Sequence, residues 1–289
     1  MTKKLSVLVI GATGNQGGSV VKSLLPKGYH IRTLTRKLDS PAAKRLTEQG
    51  VEVVKGDFSD YDSLIKAASG MDTVYVMTTP FEAGPEAETK QGISIVDAVK
   101  KADVGHLIFG SVANADRKTG IPHFDSKYKV EEYIASLNIP YTISAPVFFM
   151  DNYLSPWVLP ALKEGKLTLG MPLNRPLQQT SVNNIGAFVA ELVERRDKVF
   201  GKRIDIAGDE LTGEQTADIL SKVSGHNIKY ESFDPETLRK ESDDMATMYK
   251  WFNDIGYSVD IEKLHQDYPE VKWQRLEDWA KEQDWKTLL

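Results

Sequence analysis

Short apolar runs alternate along the first half of the chain with segments whose apolar residues recur at helical spacing. Leu5-Ser6-Val7-Leu8-Val9-Ile10 is a β-branched run closed by Gly11, the pattern of a strand buried on both faces of a parallel sheet. Behind it, Val20, Val21, Leu24 and Leu25 predict a helix stopped by Pro26 and Gly28. The unit then repeats: a strand near His30 to Leu34, a helix opened by Ser40-Pro41 and ended by Gly50, and a strand at Val51 to Val54. A helix near Asp60 to Ala68, a strand at Thr73 to Met77, a helix over Glu86 to Ala102 and a strand at His106 to Phe109 follow. A helix from about Asp125 to Leu137 and a strand at Tyr141 to Ala145 complete the series. Strands alternating with helices in this way predict an α/β fold, a Rossmann-type doubly wound parallel sheet with its ligand crevice at the carboxyl ends of the strands.

Past Pro146 the rhythm breaks, with Pro156, Pro160, Pro172 and Pro176 punctuating short pieces. We therefore expect a first domain over 1–153 and a smaller α+β C-terminal lobe over 154–289. A helix at about 183–196 should pack back on the first domain. Arg203 to Ala207 and Ile228 to Phe233 read as short strands of the small lobe, and Thr212-Gly213-Glu214-Gln215 as a capping box opening a helix to about Ser224. Trp251, Trp273, Trp279 and Trp285 read as packing anchors of that lobe.

Between the first strand and its helix, Gly11-Ala12-Thr13-Gly14-Asn15-Gln16-Gly17 is a variant of the dinucleotide fingerprint. Gly11 permits the tight turn, Gly14 lets backbone amides approach a pyrophosphate, and Gly17 lets helix and strand pack closely. An NAD site would carry an acid at the end of the second strand, where this chain has Thr35-Arg36-Lys37. Arg36 can grip a 2′-phosphate as a charge-assisted fork and Lys37 adds a second positive charge, so the pattern favours NADP(H). Asp57-Phe58 and Thr78-Thr79-Pro80 fall at the crevice end of the third and fourth strands, although Asp57 reads equally as a turn residue. In His123-Phe124-Asp125-Ser126-Lys127-Tyr128, helical arithmetic puts Lys127 within about 70° of the face centred on Val130, Tyr133, Ile134 and Leu137, and Tyr128 almost opposite. Lys127 is the candidate for the ribose hydroxyls of a nicotinamide and for proton relay. His123 is either a proton donor or a loop histidine.

Composition narrows the field. The chain of 289 residues has 36 Lys plus Arg against 41 Asp plus Glu, a net charge of −5, which argues against direct nucleic-acid binding. It has no cysteine, which removes thiol chemistry and disulfides and fits a cytoplasmic setting. The start, Met1-Thr2-Lys3-Lys4-Leu5, enters an apolar run too short for a membrane span, and we expect no membrane association. The five histidines show no metal-ligand spacing, so no metal site is expected.

The stretches VLVIGATGNQGGSVVKSLL, TLTRK, AAKRLTEQGVEVVKGD, KQGISIVDAVKKA, HFDSKYKVEEYI and PVFFMDNYLS resemble the NmrA-like family of atypical short-chain dehydrogenases/reductases, especially its HSCARG-type NADPH-sensing branch. The resemblance implies NADP(H) bound through Gly11 to Gly17, Arg36, Asp57, Phe58, Thr78 to Pro80, Lys127, and Phe148, Phe149 and Asn152. It also implies a nicotinamide facing a cleft between the lobes. Ordinary members of the wider group use a Tyr-x-x-x-Lys pair, and His123 stands here in the tyrosine's place. Two functions follow as expectations: an NADPH-dependent oxidoreductase acting on a small apolar acceptor such as a quinone or activated alkene, or a non-catalytic redox sensor regulating a protein partner. Phe81, Phe148, Phe149 and Trp157 are candidates for the apolar side of an acceptor pocket.

Overall fold

A computed structural model describes residues 4–289; the expectation drawn from Met1-Thr2-Lys3 therefore lies outside it. The first half runs β1 (Ser6–Val9), α1 (Asn15–Leu24), β2 (His30–Thr35), α2 (Pro41–Glu48), β3 (Glu52–Lys55), α3 (Tyr61–Ala68), β4 (Thr73–Met77), α4 (Pro85–Lys101), β5 (Leu107–Gly110), α5 (Pro122–Ser136) and β6 (Tyr141–Pro146). The second half continues β7 (Phe148–Phe149), α6 (Leu159–Lys163), β8 (Lys166–Leu169), β9 (Pro176–Thr180), α7 (Val182–Glu194), α8 (Arg196–Val199), β10 (Lys202–Ile206), β11 (Asp209–Thr212) and α9 (Gly213–Ser224). It ends with β12 (Lys229–Ser232), α10 (Asp243–Asp254), α11 (Ile261–Asp267), α12 (Leu276–Lys281) and α13 (Trp285–Leu288).

Seven strands form one parallel sheet in the order β10-β6-β5-β4-β1-β2-β3. In that order the chain runs rightward from β1 to β3 and leftward from β4 to β10, so the direction reverses between β1 and β4. In open α/β sheets the carboxyl ends of the strands at such a reversal are where a ligand crevice lies. β1 is central and buried along its length, as its apolar run predicts.

One sheet face carries α1 and α7, whose Val20, Val21, Leu24, Ile185, Phe188, Val189 and Leu192 are buried in one cluster. These helices touch at Gly186, where a Cβ would lie 2.4 Å from the Ser19 carbonyl oxygen. The helix expected at about 183–196 is α7, and it packs on α1. The other face carries α3, α4 and α5, over Leu64, Val96, Val99, Val130 and Ile134.

One sequence expectation needs correcting. The segment read as Arg203 to Ala207, grouped with the small lobe, is β10 and pairs in parallel with β6 as the seventh strand of the main sheet. Its alternation is short and polar-interrupted, so nothing local distinguished it from a strand of the second lobe. That lobe contains the sheet β11-β9-β7 and the pair β12-β8. Its core gathers Met150, Tyr153, Leu167, Leu220, Trp251, Phe252, Trp279 and Trp285. Trp273 instead packs toward the α1/α7 side, 5.9 Å from the ring of Phe188. The capping box at Thr212 and Gln215 is formed and opens α9. Among the described residues, no helix is long and apolar enough to cross a membrane.

Candidate functional site

The site is built from two walls of the crevice. On the β1 side, Gly11 has φ +79°, and a Cβ there would lie 2.8 Å from Met77 Sδ. The turn closes so tightly that a Cβ on Gly17 would fall 2.4 Å from the Gly11 carbonyl oxygen. Gly14 is different: its Cβ would meet only that oxygen, at 3.6 Å, and it lies exposed beside Thr13 and Asn15. Helix α1 begins at Asn15 with no side chain capping its first amides. Unpaired N–H groups and the positive end of the helix dipole face the crevice, the arrangement that receives a diphosphate. The Ala12 methyl is buried, so this residue offers only backbone. Gln16 Nε2 donates to the Tyr75 hydroxyl at 2.7 Å, tying the helix start to β4.

Arg36 and Lys37 follow β2 and are exposed. Arg36 is 66% exposed, and its charge partner is Glu82 at 3.7 Å, itself 67% exposed. Such a pair is worth about 0–1 kcal/mol and yields readily to a doubly charged phosphate. Asp57 Oδ1 accepts from the backbone N–H and hydroxyl of Ser59 at 2.8 and 2.6 Å, and these bonds hold its carboxyl below the usual range. Of its two readings, the turn is the one its side chain performs. Phe58 packs at the edge of the α3/α4 cluster.

The opposite wall depends on a close helix crossing. A Cβ on Gly92 of α4 would lie 2.6 Å from Val130 Cγ2 of α5, so only glycine lets the helices approach this near. One turn away on each helix the crossing brings Glu88 against Ser126 and Lys127. The Glu88 side chain is 0% exposed and that of Lys127 12%. Lys127 Nζ donates to Glu88 Oε1 at 2.6 Å and to the Thr78 carbonyl at 2.9 Å. The Thr78 hydroxyl donates to Glu88 Oε1 at 2.8 Å and the Ser126 hydroxyl to Glu88 Oε2. Thr79 Oγ1 accepts from the Phe81 N–H at 3.4 Å, and Pro80 is buried beneath the loop. Lys127 thus points inward, as the helical arithmetic predicts, while Tyr128 packs against the small-lobe core.

His123, one turn before Lys127, reaches the other lobe. Its Nδ1 is paired with Asp244 Oδ1, and its backbone N–H donates to Asp244 Oδ2 at 3.1 Å. Phe81, 77% exposed, has its ring centroid 6.3 Å from that of His123.

The candidate aromatics do not form one pocket. Phe148 and Phe149 alternate along β7: Phe148 packs 5.6 Å from the Tyr153 ring in the small-lobe core, while Phe149 faces the α1/α7 side. Phe149, Asn152 and the exposed Trp157 line a cavity of about 510 Å³ together with Asn15, Lys22 and Asn183. That cavity adjoins the start of α1.

Glu88 and Asp244 were not among the residues singled out from sequence. Glu88 lies seven residues before Ile95 on the stripe Gly92, Ile95, Val96, Val99, so a carboxylate on a buried helical face was the available signal. Asp244 gave none, because its meeting with His123 is tertiary.

A switch-point crevice with a glycine turn on one side and an inward lysine on the other defines a Rossmann-type α/β protein. The chain belongs to the NmrA-like family, whose profile matches residues 3–280. It is 30% identical over 280 residues to an NmrA-like family domain-containing protein of Dictyostelium discoideum, covering 89% of each chain. Several other relatives are matched over about half their length. Its fold is similar to that of Citrobacter sp. triphenylmethane reductase complexed with NADP(H), with a TM-score of 0.81 at 22% identity, covering 98% of this chain and 100% of that one. It is also similar to the NADPH-dependent quinone oxidoreductase QOR2 of Escherichia coli complexed with NADPH, with a TM-score of 0.80 at 23% identity, covering 95% and 98%.

Proposed function

We propose that this protein binds NADP(H) and acts as an NADPH-dependent oxidoreductase on a small apolar acceptor such as a quinone or activated alkene. The observation that carries the reading is the pair Arg36 and Lys37, exposed at the end of β2, the strand that pairs with β1, where an acid would have selected the unphosphorylated cofactor. The amides from Thr13 to Gly17 would hold the diphosphate and Arg36 the 2′-phosphate. Lys127 would bond the nicotinamide ribose from the opposite wall. The bound nicotinamide supplies a hydride; the chain's own residues orient it. Glu88 and the Thr78 carbonyl aim the lysine, so that Lys127 serves as a fixed hydrogen-bond donor. The solved reductases of similar fold, both complexed with this cofactor, support the reading.

The test is to titrate the four nicotinamide forms by fluorescence and then follow NADPH oxidation against quinones and enals. Selective binding of the phosphorylated forms with turnover supports the proposal; no affinity for any of them overturns it. One observation favours a second reading, that of a redox sensor regulating a partner protein. The tyrosine of the usual Tyr-x-x-x-Lys pair is absent and its place holds His123, bound to the small lobe through Asp244. Tight NADPH binding without turnover of any acceptor would select it.

A further inference from the structure

Reduction by a hydride leaves a proton to be supplied, and Lys127 is badly placed to supply it. Its ammonium is the cationic partner of Glu88, a carboxylate with no solvent exposure. Lys127 Nζ is engaged by Glu88 Oε1 at 2.6 Å and by the Thr78 carbonyl at 2.9 Å, so it is held by the wall and not directed at an acceptor. His123 has no such obligation. It precedes Lys127 by four residues on α5, so both side chains belong to one helical face. Asp244 clamps it at two points, the ring Nδ1 and the backbone N–H, which sets the rotation of the imidazole. Its other nitrogen, Nε2, has no hydrogen-bond partner among the described residues, and its neighbour on the crevice rim is the exposed ring of Phe81.

We propose that His123 is the proton donor of the acceptor site and that Asp244, contributed by the small lobe, is its positioning residue. The inference rests on the reductase reading. Asp244 holds a proton on Nδ1 and matches the charge of a ring protonated on both nitrogens, which leaves Nε2–H as the donor. For a quinone the step balances as follows. The hydride of NADPH carries two electrons to the acceptor, the Nε2–H bond breaks, and its proton goes to a carbonyl oxygen. The products are hydroquinone, NADP+ and neutral imidazole, which regains a proton from water. The acceptor class is therefore one whose reduction needs both hydride and proton. A cationic triarylmethane dye is the control, because hydride alone converts it to a neutral product.

The test compares wild type, His123→Gln and Asp244→Asn with a benzoquinone and with such a dye, alongside NADPH affinity and thermal melting. His123→Gln should lower quinone turnover about 100-fold, as loss of a general acid does, while dye reduction falls less than about threefold. Asp244→Asn should lower quinone turnover about tenfold with the same bias between acceptors. In the protein without cofactor, ring 15N shifts should report a proton on Nδ1 of His123 in the wild type and a mixture of tautomers in Asp244→Asn, while the bias between acceptors in Asp244→Asn is the readout that a purely structural contact would not produce. Equal losses on both acceptors, an unchanged quinone rate, or an unmoved tautomer overturns the inference. Should the wild type reduce quinone but not the dye, a quinone loss with NADPH affinity and melting unchanged supports the inference, and a loss that tracks affinity overturns it. Wild-type protein that binds NADPH and reduces neither acceptor overturns the reductase reading and this inference together. Quinone reduction undiminished in His123→Gln overturns the inference alone.

Discussion

The two walls of the crevice are made in opposite ways. The β1/α1 wall is backbone: a loop of seven consecutive residues in which glycine is required at position 17 by an approach of 2.4 Å and at position 11 by a positive φ. The α5 wall is side chain: Lys127, Glu88, Thr78 and Ser126 come from α5, α4 and the loop after β4, and their meeting depends on the Gly92 crossing. A backbone site is local and tolerant of its surroundings. A side-chain site is only as good as the helix packing that assembles it, and its parts are coupled.

The coupling is open to direct attack. Lys127→Met strands the Glu88 carboxylate and should cost about 3–5 kcal/mol in denaturant unfolding, since removing one partner of a buried pair leaves an uncompensated charge. Adding Glu88→Gln should restore most of that loss, because the neutral amide still has the Ser126 and Thr78 hydroxyls as partners. Independent, additive losses would contradict the coupled picture of this wall.

On the backbone wall the contrast is between two glycines. Gly17→Ala places a methyl against a carbonyl oxygen and should cost about 1–3 kcal/mol by forced displacement of the loop, read as a lowered melting temperature. Gly14→Ala should leave melting almost unchanged, since the nearest atom to its Cβ stands at 3.6 Å, yet weaken NADPH binding by blocking the approach of the diphosphate. If the two variants behave alike, the glycines are not dividing structure and binding between them. The smallest expected effect lies at the end of β2, where Arg36→Ala should weaken NADPH binding about tenfold and NADH binding little.

The same contrast explains what could be read along the chain. The strand expected at Thr73 to Met77 coincides with β4, and the glycine turn lies where its spacing puts it, because both are set by neighbours in sequence. The inward direction of Lys127 follows from helical angle, a property of one helix. Glu88 was hidden in a helix whose acidic start looks solvated, since burial there is decided by the α4/α5 crossing. β10 was misassigned for a related reason. Its sequence, Lys-Arg-Ile-Asp-Ile, makes a strand but does not say which sheet, and its place beside β6 is settled by the return of α7 over α1. β8 was missed because Leu167 and Leu169 alone carry its alternation.

The late arrival of β10 has a consequence for how the polypeptide is made. While the ribosome is still synthesising the second half, the nascent first half has β6 as an unpaired border and the apolar side of α1 uncovered. The main sheet cannot close until residue 206 has left the exit tunnel. A gene truncated after codon 153 should accordingly yield aggregating material, and any attempt to manufacture a stand-alone nucleotide module must carry α7 and β10 with it.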